Sequence, residues 1–277
     1  MIHMLKNINE IRVDSYDKVR YLLTSSLRIK TLRVLLESDK TLDEINRYID
    51  IKQTNLLRTL KELQEINLIV LRNKEYSLTS TGYLTARNVM NIINNWQTIS
   101  KYDKCINYHS FKKFPLEFSR YMFLLDGSER IESPSSDIYK TRRLYGQQIS
   151  NVSSLKIILP IYSKHYLEYI MGAVKDNKAH LQLVTSRNIY NLIRQSEFAD
   201  DIKRYRHEGS VRIFVTEDDV HEIFLTLTDR GSSISFFFKD NTFDDTTFFW
   251  PEEFKTKRML GYFFEAYKYK MLSREII

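Results

Sequence analysis

A single cysteine, Cys105, occurs in 277 residues, which excludes an internal disulfide and any metal centre built from several thiolates of one chain. No apolar run approaches the roughly 20 residues needed to cross a bilayer. The opening MIHMLKNINEIRVD carries charges where a signal peptide needs an apolar core, so a cytoplasmic chain without membrane contact is expected. Glycine is scarce, at seven residues, and beside the many Ile, Asn, Lys and Tyr residues this reads as base composition of the source genome. There is no glycine-rich phosphate loop, no internal repeat and no low-complexity tract. His109, His165, His180, His207 and His221 have no mutual spacing typical of a metal site. The acidic clusters Glu217-Asp218-Asp219 and Asp244-Asp245 lack the spacing of a calcium loop and read as solvated turns. No metal, no cofactor and no catalytic residue is therefore expected.

What is present suits two domains. A chain of 33.2 kDa with 43% hydrophobic and 28% charged residues can build two separate cores. The net charge of +7 is uneven: residues 1–101 hold 16 Lys and Arg against 11 Asp and Glu, leaving 26 against 24 for the rest. A basic excess on the first third points toward nucleic acid, because phosphate neutralisation supplies most non-specific affinity.

Within that third, residues 16–36 read as one or two helices interrupted at Ser25-Ser26. The stretch TLDEINRYIDIKQTNLLRTLKELQEI, residues 41–66, then places Leu42, Ile45 and Ile49 at helical spacing behind a Thr41 N-cap. After a break at Asp50-Ile51, a further helix repeats Leu56, Leu60 and Leu63 on one face and carries Lys52, Gln53, Thr54, Leu57, Arg58 and Lys61 on the other. Amide, hydroxyl and guanidinium groups from the first turn onward suit insertion into a DNA major groove, although the same pattern fits an ordinary amphipathic helix pair. Gln53, Thr54 and Arg58 are placed for base edges, Lys52 and Lys61 for phosphates. Two short alternating segments about Asn73-Lys74 form a hairpin, or wing, whose Arg72 and Lys74 can reach a phosphate or the minor groove.

A helix of about 20 residues follows the wing, with Tyr83, Ala86, Val89, Met90, Ile93, Trp96 and Ile99 as an apolar stripe. It is expected to pair two copies of the chain, or else to pack on the C-terminal domain. Cys105 is expected in packing between domains rather than as a reactive thiol. Beyond it, a helix is expected between Pro115 and Gly127 and another over 137–150. Strands LKIILP, HLQLVTS and VRIFVTE then alternate with helices over 164–176 and 188–207, the pattern of a parallel α/β sheet. Three further strands, IFLTLTD, SISFFFK and DTTFFW, add to it in antiparallel fashion, and a last helix spans 251–272.

The helix TNLLRTLKELQEINLIV and the closing YSLTSTG resemble the recognition helix and wing exit of winged helix-turn-helix repressors of the arsenical-repressor type. FPLEF at 114–118, LKIILP at 155–160, KDNTFDDTTFFW at 239–250 and GYFFEAYKYK at 261–270 resemble the C-terminal regulatory domain of winged-helix transcription regulators of methanogenic archaea. One departure is Asn241, where that resemblance leads one to expect glycine. The C-terminal domain is also similar to phospholipase-D-like sensor domains, but no histidine has a lysine two places later, so the catalytic form of that fold is not implied. The implied architecture is a winged helix-turn-helix domain over 1–79, a dimerisation helix over 80–104 and an α/β effector domain over 105–277, whose mixed sheet with helices is of the phospholipase-D-like sensor type. The implied function is a dimeric, sequence-specific regulator binding double-stranded DNA under control of a signal. An enzyme, or an adaptor that uses the winged domain for docking, is the alternative.

For a small anionic effector, the carboxyl ends of the parallel strands are the place to look. Ser163, Lys164 and His165 follow the first strand, and Ser186 and Arg187 the second. Arg142, in KTRRLYG, either adds charge there or, as we favour, belongs to a pair that binds carboxylates such as Asp137. The competing reading is that these serines are ordinary N-caps and these cations ordinary solvated charges.

Overall fold

The computed structural model describes residues 13–111, 119–216, 223–251, 254–270 and 274–275. The expected helix start at Pro115, the FPLEF segment, the Glu217-Asp218-Asp219 cluster and His221 lie outside the described residues. The chain divides after Asn94 into two compact units.

In the first unit, helices α1 (Val13–Leu23) and α2 (Ser26–Leu35) are separated by Ser25, whose hydroxyl accepts the Arg28 amide at 3.3 Å and caps α2. Helix α3 (Leu42–Ile49) opens on a reciprocal capping box: the Glu44 amide donates to Thr41 Oγ1 at 3.4 Å, and the Thr41 amide donates to Glu44 Oε2 at 2.8 Å. Asp50, at φ 51°, ends α3 and allows the turn into α4 (Gln53–Glu65). Ile45, Leu56, Leu60 and Leu63 are fully buried together with Leu32. Each such side chain contributes about 1.5–3 kcal/mol. The wing pairs β2 (Ile69–Arg72) with β3 (Glu75–Leu78). Its two-residue tip, Asn73 and Lys74, has φ of 49° and 69°, the left-handed pair of a type I′ hairpin turn, which matches the twist of the strands. An unexpected short strand β1 (Lys40–Thr41) pairs with β3.

Gly82 explains how the wing closes. A Cβ there would stand 1.8 Å from the Leu68 carbonyl oxygen, so only glycine admits the strand entry. Thr79 Oγ1 accepts the Gly82 amide at 2.9 Å, starting helix α5 (Ser80–Lys101). The expected apolar stripe is only partly covered. Ala86 and Val89 are buried, whereas Tyr83 and Trp96 are exposed, as are Leu84 and Ile92, which the stripe had omitted.

The second unit is built on an eight-stranded mixed sheet. Strands β5 (Ser154–Leu159), β6 (His180–Ser186) and β7 (Val211–Thr216) run parallel. Strands β8 (Ile223–Thr228), β9 (Ser232–Phe236) and β10 (Thr247–Trp250) extend it antiparallel as expected. Two edge strands were not expected, β4 (Glu129–Glu132) on β10 and β11 (Arg274–Glu275) on β7. The helices are α6 (Asp103–Tyr108), α7 (Lys140–Ile149), α8 (Lys164–Asn177), α9 (Arg187–Arg194), α10 (Ala199–His207) and α11 (Phe254–Lys270). The helix expected over 188–207 is thus two, broken where Ser196 Oγ bonds the Ile193 carbonyl at 2.7 Å. Of the helix expected up to Gly127, Ser119 is helical, and after a turn at 120–121 a 3-10 turn, Met122–Leu125, takes the place of the rest.

Alternation along the strands supplies two cores. Leu155, Ile157, Leu159, Leu181, Leu183, Ile213 and Val215 face α7 to α10, and Ile158, Val184, Phe214, Leu225, Ile234 and Phe249 face α11. Cys105 is buried in the second of these cores, within this unit.

Asp244 corrects the expectation of a solvated cluster. It is buried, and its Oδ2 accepts His109 Nε2 at 2.9 Å, while Oδ1 accepts the Thr246 amide and hydroxyl at 2.9 and 2.6 Å. His109 Nδ1 donates to the Cys105 carbonyl at 2.7 Å, and the ring stacks on Phe238 with centroids 5.0 Å apart. Burial disfavours the imidazolium, but the bonds to Asp244 and Cys105 outweigh it and raise His109 to about 10. Burial likewise opposes the Asp244 carboxylate, and the bonds from His109 and Thr246 hold it below the usual range. Asn241, the departure from the resembled pattern, has φ 66°. This left-handed conformation favours glycine, and asparagine is among the side chains that tolerate it.

Candidate nucleic-acid interface

Helix α4 turns 100° per residue, so Gln53, Leu57, Lys61, Thr54 and Arg58 lie within an arc of roughly 140°. All five are exposed, and Leu56, Thr59, Leu60 and Leu63 are buried on the opposite arc. Lys52 occupies the N-cap position without a side-chain cap bond and is exposed. The helix therefore presents its polar face from the first turn onward. Arg72 and Lys74 are exposed at the wing tip, held there by the I′ turn. All seven residues expected to contact DNA are thus solvent-facing and belong to one unit.

Sequence reasoning missed three residues on this surface. Arg47, in the last turn of α3, is exposed, and its place on an exposed helix end was a usable signal. Glu62 and Arg28 were also missed. Arg58 Nε donates to Glu62 Oε1 at 3.1 Å, and Arg28 donates to Glu62 Oε2 from Nε at 3.1 Å and Nη2 at 2.9 Å. The spacing of four between Arg58 and Glu62 was readable. The contact with Arg28, 34 residues away, was not.

The second unit treats the expected effector residues differently. Ser163 stands at the N-cap of α8 without a side-chain cap bond. Ser186 caps α9 through the Ile189 amide at 3.3 Å and is buried. These two crossover ends are neighbours, because Leu159 of β5 registers with Thr185 of β6, and Arg187 opens α9 half-buried. Lys164, His165 and Arg142 each meet a carboxylate. Lys164 Nζ is 2.8 Å from Glu197, His165 Nδ1 is 3.3 Å from Glu168, and Arg142 Nη2 is 3.1 Å from Asp245. The carboxylate expected for the Arg142-Arg143 pair, Asp137, is bound by Arg143 at 2.8 and 2.6 Å. Among the described residues there is no cluster able to hold a metal ion and no helix long and apolar enough to cross a membrane.

Two family models match the chain: the N-terminal domain of the methanogenesis regulatory protein FilR1 over residues 16–97 and its middle domain over residues 138–250. They agree with the resemblance read from the sequence. No curated protein matches. Among solved structures, the archaeal chromatin protein TrmBL2 aligns with 94% of this chain and 99% of its own at 13% identity and a TM-score of 0.42. Quinone-bound YodB from B. subtilis aligns with 30% of this chain and 96% of its own at 25% identity and a TM-score of 0.29. IdeR from T. acidophilum aligns with 82% and 98% at 12% identity and a TM-score of 0.26. These are distant likenesses.

Proposed function

The chain belongs to the FilR1 family of methanogenesis regulatory proteins and is a DNA-binding transcription regulator; we propose that it acts as a homodimer whose α4 helices read base edges in successive major grooves. The observation that carries this is the polar arc of α4, exposed over a fully buried leucine arc and followed by a wing that turns through two residues. Gln53, Thr54 and Arg58 are the base-edge readers. Lys52 and Lys61 contact phosphates, and Arg72 and Lys74 contact the flanking backbone or minor groove. The dimer is supported by apolar side chains exposed on two helices of the chain, Tyr16, Val19 and Leu23 on α1 and Leu84, Ile92 and Trp96 on α5. A twofold protein then meets half-sites about 34 Å apart.

The α/β unit, of phospholipase-D-like sensor type in this reading, receives the signal. A small anion at the carboxyl ends of β5 and β6, near Ser163 and Ser186, would take Lys164, His165, Arg187 and Arg142 as ligands. It must displace Glu197, Glu168 and Asp245 from their cations, so binding and loop rearrangement are coupled. The family is one of regulators, which points away from an enzyme.

The test is a gel-shift titration of the full-length protein on DNA upstream of its own coding region, over a series of salt concentrations. Selective retardation with an affinity that falls linearly on logarithmic axes is expected. Equal retardation of unrelated DNA at every salt concentration would remove sequence-specific regulation and leave non-specific binding alone.

A further inference from the structure

We propose that Glu62 is a positioning residue for base reading: held from the inner side by Arg28, it orients Arg58 so that only the two Nη groups of Arg58 face the DNA. This rests on the reading of α4 as the groove-reading helix.

The geometry sets Glu62 apart from an ordinary surface partner. Its side chain is 21% exposed, between Arg28 at 13% and Arg58 at 82%. Both carboxylate oxygens are committed, Oε2 to the fork of Arg28 and Oε1 to Arg58 Nε. Arg28 is itself anchored, because Nη1 donates to the Tyr21 carbonyl at 2.6 Å and the guanidinium carbon lies 3.5 Å over the Tyr21 ring. A chain of contacts thus runs from α1 through α2 to the exposed face of α4 and ends on one arginine.

That termination has a chemical consequence. An arginine reads guanine by donating twice to O6 and N7, and it can use either its Nε–Nη edge or its Nη–Nη edge. With Nε bonded to Glu62, only the second edge is free, and the planar fork is held before DNA arrives. Less side-chain freedom is then lost on binding, and one approach direction is selected. Burial opposes the charge of Glu62, but the bonds from Arg28 and Arg58 keep its carboxyl below the usual range, so it stays an acceptor through neutral pH. The same negative charge beside a polyanion is a penalty for non-specific binding, so this residue acts in opposite directions on specific and non-specific affinity.

This opposition provides the test. An operator is first selected from random-sequence DNA with the full-length protein. Anisotropy titrations then compare the parent, Glu62→Gln, Arg58→Ala and the double variant on that operator, on operators substituted one base pair at a time, and on random DNA. In Glu62→Gln, discrimination at the base pair read by Arg58 should fall about tenfold, the scale of one good base contact, while binding to random DNA holds or tightens. In the Arg58→Ala background, Glu62→Gln should change discrimination no further. Glu62→Asp keeps a charge opposite Arg28 but shortens the reach to Arg58, and should lose discrimination with an unchanged melting temperature. The proposal is overturned if either Glu62 variant keeps full discrimination, if operator and random DNA weaken equally, or if the loss persists without Arg58. If the parent discriminates but Arg58→Ala discriminates equally well, the placement of α4 fails, and this proposal with it.

Discussion

Neutralising the imidazolium buried in the second unit should produce an alkaline loss of stability. His109 is 4% exposed and Asp244 2% exposed, so solvent screens their pair little. The histidine is raised from 6.5 to about 10. A group whose folded value is raised contributes stability that is complete below the unfolded value and is lost as pH climbs through the folded one. The window therefore opens near pH 6.5 and closes near pH 10. At about 1.4 kcal/mol per pH unit, it holds at most about 5 kcal/mol. The comparison is with His109→Gln, whose amide can still donate to Asp244 but cannot titrate. At pH 6.5 this variant leaves a buried carboxylate without its cation, at a cost of about 3–5 kcal/mol. Near pH 10 the parent has lost that cation too, and the difference should fall below about 1 kcal/mol. Urea unfolding of the full chain in a Trp96→Phe background, so that Trp250 alone reports, measures this. Alkaline titration of other groups cancels between parent and variant. A difference that stays constant from pH 6.5 to 10 would refute the ion pair as the source. On the acid side Asp244, held low, contributes stability present above its unfolded value and lost as pH falls through its folded one.

Other perturbations follow from α4, the wing and α5. Arg58→Ala should cost roughly 1–3 kcal/mol in operator binding and relax the preference at one base pair, read by competition with substituted operators. Arg72→Ala and Lys74→Ala should each reduce the salt slope by about one while leaving sequence choice intact, and a change in base preference would place the wing differently. Ile92→Asp with Trp96→Asp, both exposed on α5, should convert a dimer to a monomer by light scattering without lowering the melting temperature. A parent that is already monomeric refutes the interface. Leu60→Ala, at a fully buried position, should destabilise the first unit by about 2–5 kcal/mol in denaturant titrations, and a loss below 1 kcal/mol would mean that α4 is not packed through that face.

Local patterns made much of this protein legible. The Thr41 cap, the leucines of α4, the two-residue wing tip and the alternation of LKIILP and HLQLVTS all act over spacings of two to four residues. The exposed arc of α4 follows from the same periodicity, which is why Gln53, Thr54, Arg58 and Lys61 are solvent-facing. Even the departure at Asn241 became interpretable once its left-handed φ was visible. In a chain of seven glycines, Asp50, Asn67, Asn73, Lys74 and Lys178 also take that conformation.

Tertiary structure alone decided the rest. Edge strands of two to four residues such as Glu129–Glu132 carry too few positions to show a period, and they exist because β10 offers them a ladder. Asp244 looked like half of a solvated acidic pair until a histidine 135 residues earlier was brought against it. Lys164 looked like a solvated cation until Glu197 arrived from beyond α9, and Arg142, expected near Asp137, meets Asp245 from the far end of the sheet domain's sequence instead. Glu62, within local reach of Arg58, has its second oxygen bound by Arg28 from another helix. Periodicity reports which face of an element turns inward. The charge that meets another across the fold depends on chain crossings that no local spacing encodes.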